Sequence, residues 1–101
     1  MRVVFTAQAK AGLRSIALYI ARENKARSQT FSRELRARAL QIADAPRIYP
    51  LIPRYEIHGV RRRVAGDYLI LYRVEEDRIS ILHILHGAQD YLTMLFPDGG
   101  D

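Results

Sequence analysis

The sequence predicts a small α+β domain of order βααβββ, with a helical hairpin packed on a small, twisted, antiparallel-rich sheet. Three observations carry this. Apolar residues between Leu13 and Ile42 recur at helical spacing, with one break at Asn24-Lys25. Pro46, Pro50 and Pro53 then interrupt the chain, because proline removes a backbone donor and stops a helix. From Tyr55 onward the apolar period changes from helical to alternating.

Each element has a local cause. Arg2 to Phe5 is rich in β-branched and aromatic residues and reads as a short strand. Thr6 is placed to cap the helix that follows. Leu13, Ile16, Ala17 and Ile20 fall at i, i+3, i+4 and i+7, which is one apolar stripe. Ser28 is placed to open a second helix, with Phe31, Leu35, Ala39 and Ile42 on one side and Arg33, Arg36 and Arg38 pointing away. The short gap between the two makes an antiparallel hairpin. Asp44 to Arg54 reads as a loop. Arg61 to Ala65 is a strand, Gly66-Asp67 a tight turn, and Tyr68 to Val74 a second strand. Glu75 to Arg78 is a charged turn before a last strand, Ile79 to Leu85. The N-terminal strand joins this meander at an edge or beside the last strand. Residues 1–96 form a single domain, and 97–101 a frayed tail.

Composition narrows the class. With 49% hydrophobic and 27% charged residues, the chain is expected to fold rather than stay disordered. No cysteine is present, so neither a disulfide framework nor a thiolate metal site is available, and a cytoplasmic location fits. No apolar run approaches the roughly 20 residues that span a bilayer, and no membrane partner is expected. The formal charge is +5, and Lys10 and Lys25 are the only lysines. Arginine therefore carries nearly all the positive charge, which suits bidentate pairing with carboxylates or phosphates. The partner is acidic: a nucleic acid or an acidic protein segment.

The stretch ILHILHGAQDY holds the most chemistry. On a regular strand, Ile79, Ile81, His83 and Leu85 share one face, and Ser80, Leu82, Ile84 and His86 the other. The two histidines then point to opposite sides. A zinc site would need a bulge or bend and a third ligand such as Asp90 or His58, so no metal or cofactor is expected. Arg61 and Arg63 share a face that Arg62 does not, and Arg73 lies within the next strand. These arginines need apolar packing for their stems, or carboxylate partners such as Asp90 or the Glu75-Glu76-Asp77 turn. A ribonuclease would need a base and an acid from a short supply: His58, His83, His86 or Tyr91.

Three pieces together resemble the ParE toxins of the RelE/ParE toxin–antitoxin superfamily: IALYIA at 16–21, YLILYRV at 68–74, and ILHILHGAQDYLTMLF at 81–96. The resemblance runs from Met1 to Phe96. It implies a βααβββ toxin that inhibits DNA gyrase by contact, has no enzymatic activity, and is neutralised by a ParD-like antitoxin in a hetero-oligomer. Direct nucleic-acid binding is not implied. The effector surface would comprise Arg61, Arg63, Arg73, Gln89, Asp90, Tyr91, Leu95 and Phe96. An antitoxin groove would be lined by Leu13, Ile16, Ile20, Phe31 and Leu35. Gln89 stands where the family usually has arginine, which leaves open a binding module without toxicity. The RelE branch implies an alternative, a ribosome-dependent mRNA endonuclease using Arg61, Arg73, His83 or His86, and Tyr91. The absence of lysine after Lys25 favours the ParE branch.

Overall fold

The computed structural model describes residues 1–87 and 90–97. A four-stranded mixed sheet of order β1-β4-β3-β2 carries a helical hairpin on one face. The strands are β1 (Arg2–Phe5), β2 (Val60–Ala65), β3 (Tyr68–Val74) and β4 (Arg78–His86). The helices are α1 (Ala7–Ala21), α2 (Lys25–Gln41) and α3 (Tyr91–Leu95). β1 lies at an edge and beside the last strand, so both predicted placements hold together; it pairs parallel to β4, whereas β2–β3 and β3–β4 are antiparallel.

Thr6 sets the junction of β1 and α1. Its hydroxyl accepts from the Ala9 amide at 3.1 Å, capping the helix. The same oxygen lies 2.9 Å from the Ile81 carbonyl and 3.0 Å from that of Leu82, and donates its proton there. α2 starts three residues before the predicted position. Asn24, not Ser28, is its cap, accepting from the Arg27 amide at 2.9 Å. Ser28 is buried within the first turn and donates its hydroxyl to the Ala17 carbonyl, tying the two helices together.

The last strand departs from simple alternation. Leu71 pairs with His83 but Tyr72 pairs with Ile81, so Leu82 is an extra residue, a β-bulge. Cross-strand partners share a face. Ile79 and Ile81 therefore face the helices, Leu82, His83 and Leu85 the other side, and Ile84 the helices again. The predicted grouping of Ile79, Ile81, His83 and Leu85 is corrected by this one residue. His83 and His86 lie beyond the bulge and do point to opposite faces.

The shifted register builds two apolar layers. Between sheet and hairpin, Phe31, Leu35, Ala39 and Ile42 pack on Ile70, Tyr72, Ile79, Ile81 and Ile84. On the far face a smaller cluster of Ile52, Val60, Leu69, Leu71 and Leu85 is covered by Leu82, Tyr55 and the C-terminal segment. Without that cover these apolar side chains would face water, at a cost of roughly 1.5–3 kcal/mol for each one fully exposed.

Tyr72 is the largest fully buried side chain, at 0% exposure, and its hydroxyl donates to the Pro46 carbonyl at 2.7 Å. Burial pushes its pKa up to about 12, against the lowering effect of Arg61 and Arg63. An unfolded tyrosine ionises near pH ~10. Folded and unfolded chains bind the same proton below that value; above it the unfolded chain loses its proton first. The Tyr72 contribution to stability is thus complete below about pH 10 and is lost as pH rises toward 12. Tyr72→Phe is expected to be less stable at neutral pH by about 1 kcal/mol, the value of the hydroxyl bond, and to lose less on alkalinisation. Urea midpoints at about pH 9 and about pH 11 check both limbs; an equally steep alkaline loss in the variant counts against this role.

Candidate functional site

The arginines of the sheet are held by main-chain carbonyls. Arg61 donates to the carbonyls of Arg47 at 3.1 Å and Tyr49 at 2.8 Å. Arg63 donates to the Arg38 carbonyl, one of the last four of α2, and to Gln41 Oε1 at 3.2 Å. Its guanidinium also sits over the Tyr49 ring at 5.0 Å. Both lie on the helix side, where they tie the proline loop and the end of α2 to the sheet. Arg73, on the other face, donates to the His58 carbonyl at 3.1 Å. Of the carboxylates expected as partners, Glu75 accepts from the Ser80 hydroxyl, Asp77 lies 3.6 Å from Arg78 Nε, and Asp90 caps α3.

The C-terminal segment is a short helix packed on the far face, not a free tail. Asp90 accepts from the Thr93 amide at 3.2 Å and from its hydroxyl at 2.6 Å. These two bonds hold its carboxyl below the usual carboxylate range. Arg62, absent from the predicted site, donates to the Tyr91 hydroxyl at 2.8 Å. Phe96 stacks on Tyr55, centroid to centroid 4.5 Å with an interplanar angle of 1°. It also lies 4.5 Å from the His58 ring. Tyr91, Leu92, Leu95 and Phe96 thus hold the segment down, and Asp90, Thr93 and Met94 are its exposed residues. Gln89 lies outside the described residues, as do 98–101 of the predicted tail. The spacing Asp90, Leu92, Thr93, Leu95 was a legible signal for a capped turn with an apolar side.

The predicted groove residues form the layer beneath the hairpin. Phe31 and Leu35 are buried; Leu13, Ile16 and Ile20 are half-buried against the same core. Open space lies along the rim. A cleft of about 370 Å³ between α2 and the Gly66-Asp67 turn has Ile20, Phe31 and Leu35 in its floor and the bonded pair Arg27–Glu34, 3.1 Å apart, at its side. Ile16 reaches two further clefts beside α1.

The histidines do not converge. His86 meets the Tyr68 ring edge-on at 5.4 Å on the helix side. His83 faces the other way, and burial lowers its pKa below the ordinary histidine value. His58 follows a turn in which Arg54 holds φ 74°, a left-handed conformation that costs a non-glycine residue about 1 kcal/mol or more. Among the described residues, no group of three His, Asp or Glu side chains is placed to hold a metal ion.

The lowered His83 pKa has a sign. Below about pH 6.5 an unfolded histidine takes up a proton that the folded one refuses. Stability is therefore full above that value and falls on acidification until the folded group also titrates. His83→Gln is expected to flatten the decline between neutral pH and about pH 5. Equal slopes in wild type and variant, by urea denaturation, would remove His83 from this effect.

Residues 3–91 match the family model described as ParE toxin of type II toxin-antitoxin system, parDE. The chain belongs to the ParE toxin family. Among solved structures, one described as the chromosomal ParDE TA system from P. aeruginosa is similar in fold, with a TM-score of 0.74 at 19% identity. The match covers 85% of this chain and 95% of that one. A search of curated proteins finds no match.

As a ParE toxin, the chain has an antitoxin for a partner. Among the described residues, no helix is long and apolar enough to cross a membrane. In this ParE chain the structure brings together Tyr91, Leu95 and Phe96 of the predicted effector set, and adds Arg62, Tyr55 and His58 to their surroundings. It sets Arg61 and Arg63 on the opposite face of the sheet from them.

Proposed function

We propose that this ParE chain inhibits DNA gyrase by direct contact, without chemistry of its own, and that a ParD-like antitoxin neutralises it. The observation that supports this reading is the dispersal of the acid–base groups. Cleaving RNA through its 2′-hydroxyl needs a base and an acid around one phosphate. His83 and His86 are divided between the two faces of the sheet, and the ring of His58 lies tilted against that of Phe96. The arginines that would bind phosphate are committed to carbonyls. What the far face does present is α3, with Asp90, Thr93 and Met94 outward on a fixed base.

One observation favours a second reading, ribosome-dependent mRNA cleavage. The Arg62–Tyr91 pair shares the far face with Arg73 and His83. One experiment separates the two: the purified chain in a gyrase supercoiling assay, with mRNA on translating ribosomes in parallel. Lost supercoiling with linear DNA accumulating, and intact mRNA, is the expected result. Cut mRNA with gyrase unaffected reverses the assignment, and Tyr91→Phe should then lower cleavage by roughly 10²–10⁴-fold. No growth arrest on expression without antitoxin would point to the non-toxic binding module.

A further inference from the structure

The positive charge of the chain is concentrated in its helical layer. Residues 7–41, which span α1 and α2, hold eight Lys or Arg against two Glu, a formal +6, whereas the whole chain carries +5. All eight cations are exposed. Of these eight, Arg27 alone is in an ion pair among the described residues, with Glu34. Glu23, the other carboxylate, lies in the break between the helices.

Five of these cations follow one line. On α1, Lys10, Arg14, Ala17 and Ala21 recur at i, i+4, i+7 and i+11, and the Ala17 carbonyl accepts from Ser28 of α2, so this stripe runs along the second helix. On α2, Lys25, Ser32 and Arg36 sit at i−3, i+4 and i+8 from Ser28, and Arg33 stands one turn before Arg36. The Arg36 guanidinium lies 4.8 Å from the centre of the Phe5 ring, beside the start of α1. Lys10, Arg14, Lys25, Arg33 and Arg36 therefore border the outer seam of the hairpin, over about 17 Å at the helical rise. None of them lines the clefts beside α1 and α2. Lys10 with Arg14, and Arg33 with Arg36, are like-charge neighbours at i,i+4 and i,i+3, a spacing that weakens a free helix. An anion laid along the seam removes that penalty.

We propose that this seam binds the phosphate backbone of duplex DNA, without regard to sequence. Arginine forks suit phosphate oxygens, and Ala17, Ala21 and Ser32 between the two rows are small enough to let a backbone approach. A protein partner is disfavoured, because protein interfaces centre on apolar anchors seated in pockets. The seam lies outside the clefts, and Leu18 and Leu40, the exposed leucines of the hairpin, stand singly at its opposite ends. DNA interfaces are instead polar and strongly positive. A duplex carries one charge for about every 1.7 Å of its axis, so a straight row of cations meets phosphates along its whole length. The proposal goes beyond contact with gyrase and stands without it. Where both hold, one chain touches the enzyme with α3 and DNA with the hairpin, on opposite layers of the domain.

The test is fluorescence anisotropy of a labelled duplex of about 20 base pairs, of arbitrary sequence, titrated with the purified chain over a salt series. Micromolar binding is expected at about 50 mM salt, with a log–log salt slope near about −4, as four or five neutralised phosphates release their counterions. Arg14→Gln with Arg33→Gln should flatten that slope by about 2 and weaken binding about tenfold or more. Arg47→Gln with Arg54→Asn removes the same charge from the proline loop and should change neither by much. All four positions are exposed, so both double variants should keep the wild-type circular dichroism. Equal weakening by the two pairs would mean that only net charge is read, and overturns the seam. So does the absence of binding up to about 100 μM protein, the weak end of non-specific DNA binding. Tighter binding to single-stranded RNA of the same length, or displacement of the duplex by polyglutamate at equal charge, would assign the surface to another partner and also refute the proposal. Gyrase is absent from the assay, so this result and the supercoiling result can fail independently.

Discussion

Replacing Gly12 with alanine is expected to destabilise the domain by about 2–3 kcal/mol, where the same change inside most helices stabilises by nearly ~1. Gly12 sits in the middle of α1 on the side turned to β4. A Cβ added there would come within 3.0 Å of the Ile84 carbonyl oxygen, and to 3.3 Å of its carbonyl carbon. Those are backbone atoms of a central strand, so no side-chain rotation relieves the clash. The helix would have to lift from the sheet, opening the layer in which Ala9, Ile70, Ile81 and Ile84 meet. The gain from helix propensity is too small to offset that. Ala11→Gly, one residue away and exposed, serves as the comparison and should cost only about 1 kcal/mol through propensity. Urea denaturation followed by circular dichroism reads both. A Gly12→Ala variant as stable as wild type would show that α1 and β4 are not in the contact described.

Ending the chain after Asp90 is expected to cost still more, about 4 kcal/mol. Four half-buried side chains, Tyr91, Leu92, Leu95 and Phe96, would be lost, each contributing about 1 kcal/mol of apolar burial. Ile52, Val60, Leu69, Leu71 and Leu85 would be uncovered together, and Arg62 would lose its phenol partner. Such a patch invites self-association. The measurements are thermal melting, with a fall of roughly 15–30 °C expected, and size-exclusion chromatography, with early elution. A truncated chain that stays monomeric and melts within a few degrees of wild type would mean that α3 is not a cover. The distinction matters for the proposed function, because a tail deletion that abolishes toxicity could do so by unfolding. Met94→Arg changes the exposed side of α3 and leaves both its apolar side and the bonds between Asp90 and Thr93 in place, so it tests the effector surface without removing the cap.

Most of the architecture was legible because its causes are local. Thr6, the i, i+3, i+4 stripes, the proline cluster and Gly66-Asp67 each act over a few residues, and β3 begins and ends where its alternation does. The bulge at Leu82 left no such trace: one additional apolar residue in ILHILH looks like part of the strand, and only pairing with β3 reveals it. The start of α2 was placed too late because Ser28 has the side chain of a good cap; its hydroxyl instead bonds α1, eleven residues earlier, and Asn24 in the break caps the helix. The roles of Arg61, Arg63 and Arg73 were hidden for a different reason. Their partners are carbonyl oxygens, which every residue has, so no side-chain pattern announces them. Of the candidate site, the capped apolar tail was partly readable, whereas the clefts beside α1 and α2 exist only through the packing of the helices on the sheet.

The parallel pairing of β1 with β4 has a consequence for the order of synthesis. β1 leaves the ribosome well before its partner residues, Arg78 to Ile81. The Thr6 hydroxyl bonds across 75 and 76 residues of sequence. The helical hairpin can form early from its own short-range contacts, but the strand beneath it has nothing to pair with until the meander is complete. A nascent chain therefore carries an unpaired β1 until β4 has been made, and closing it is a long-range, slow step. The sheet that supports α3 is finished only once β4 has joined it, so the surface proposed to act on a target is absent from any nascent chain that stops short of β4.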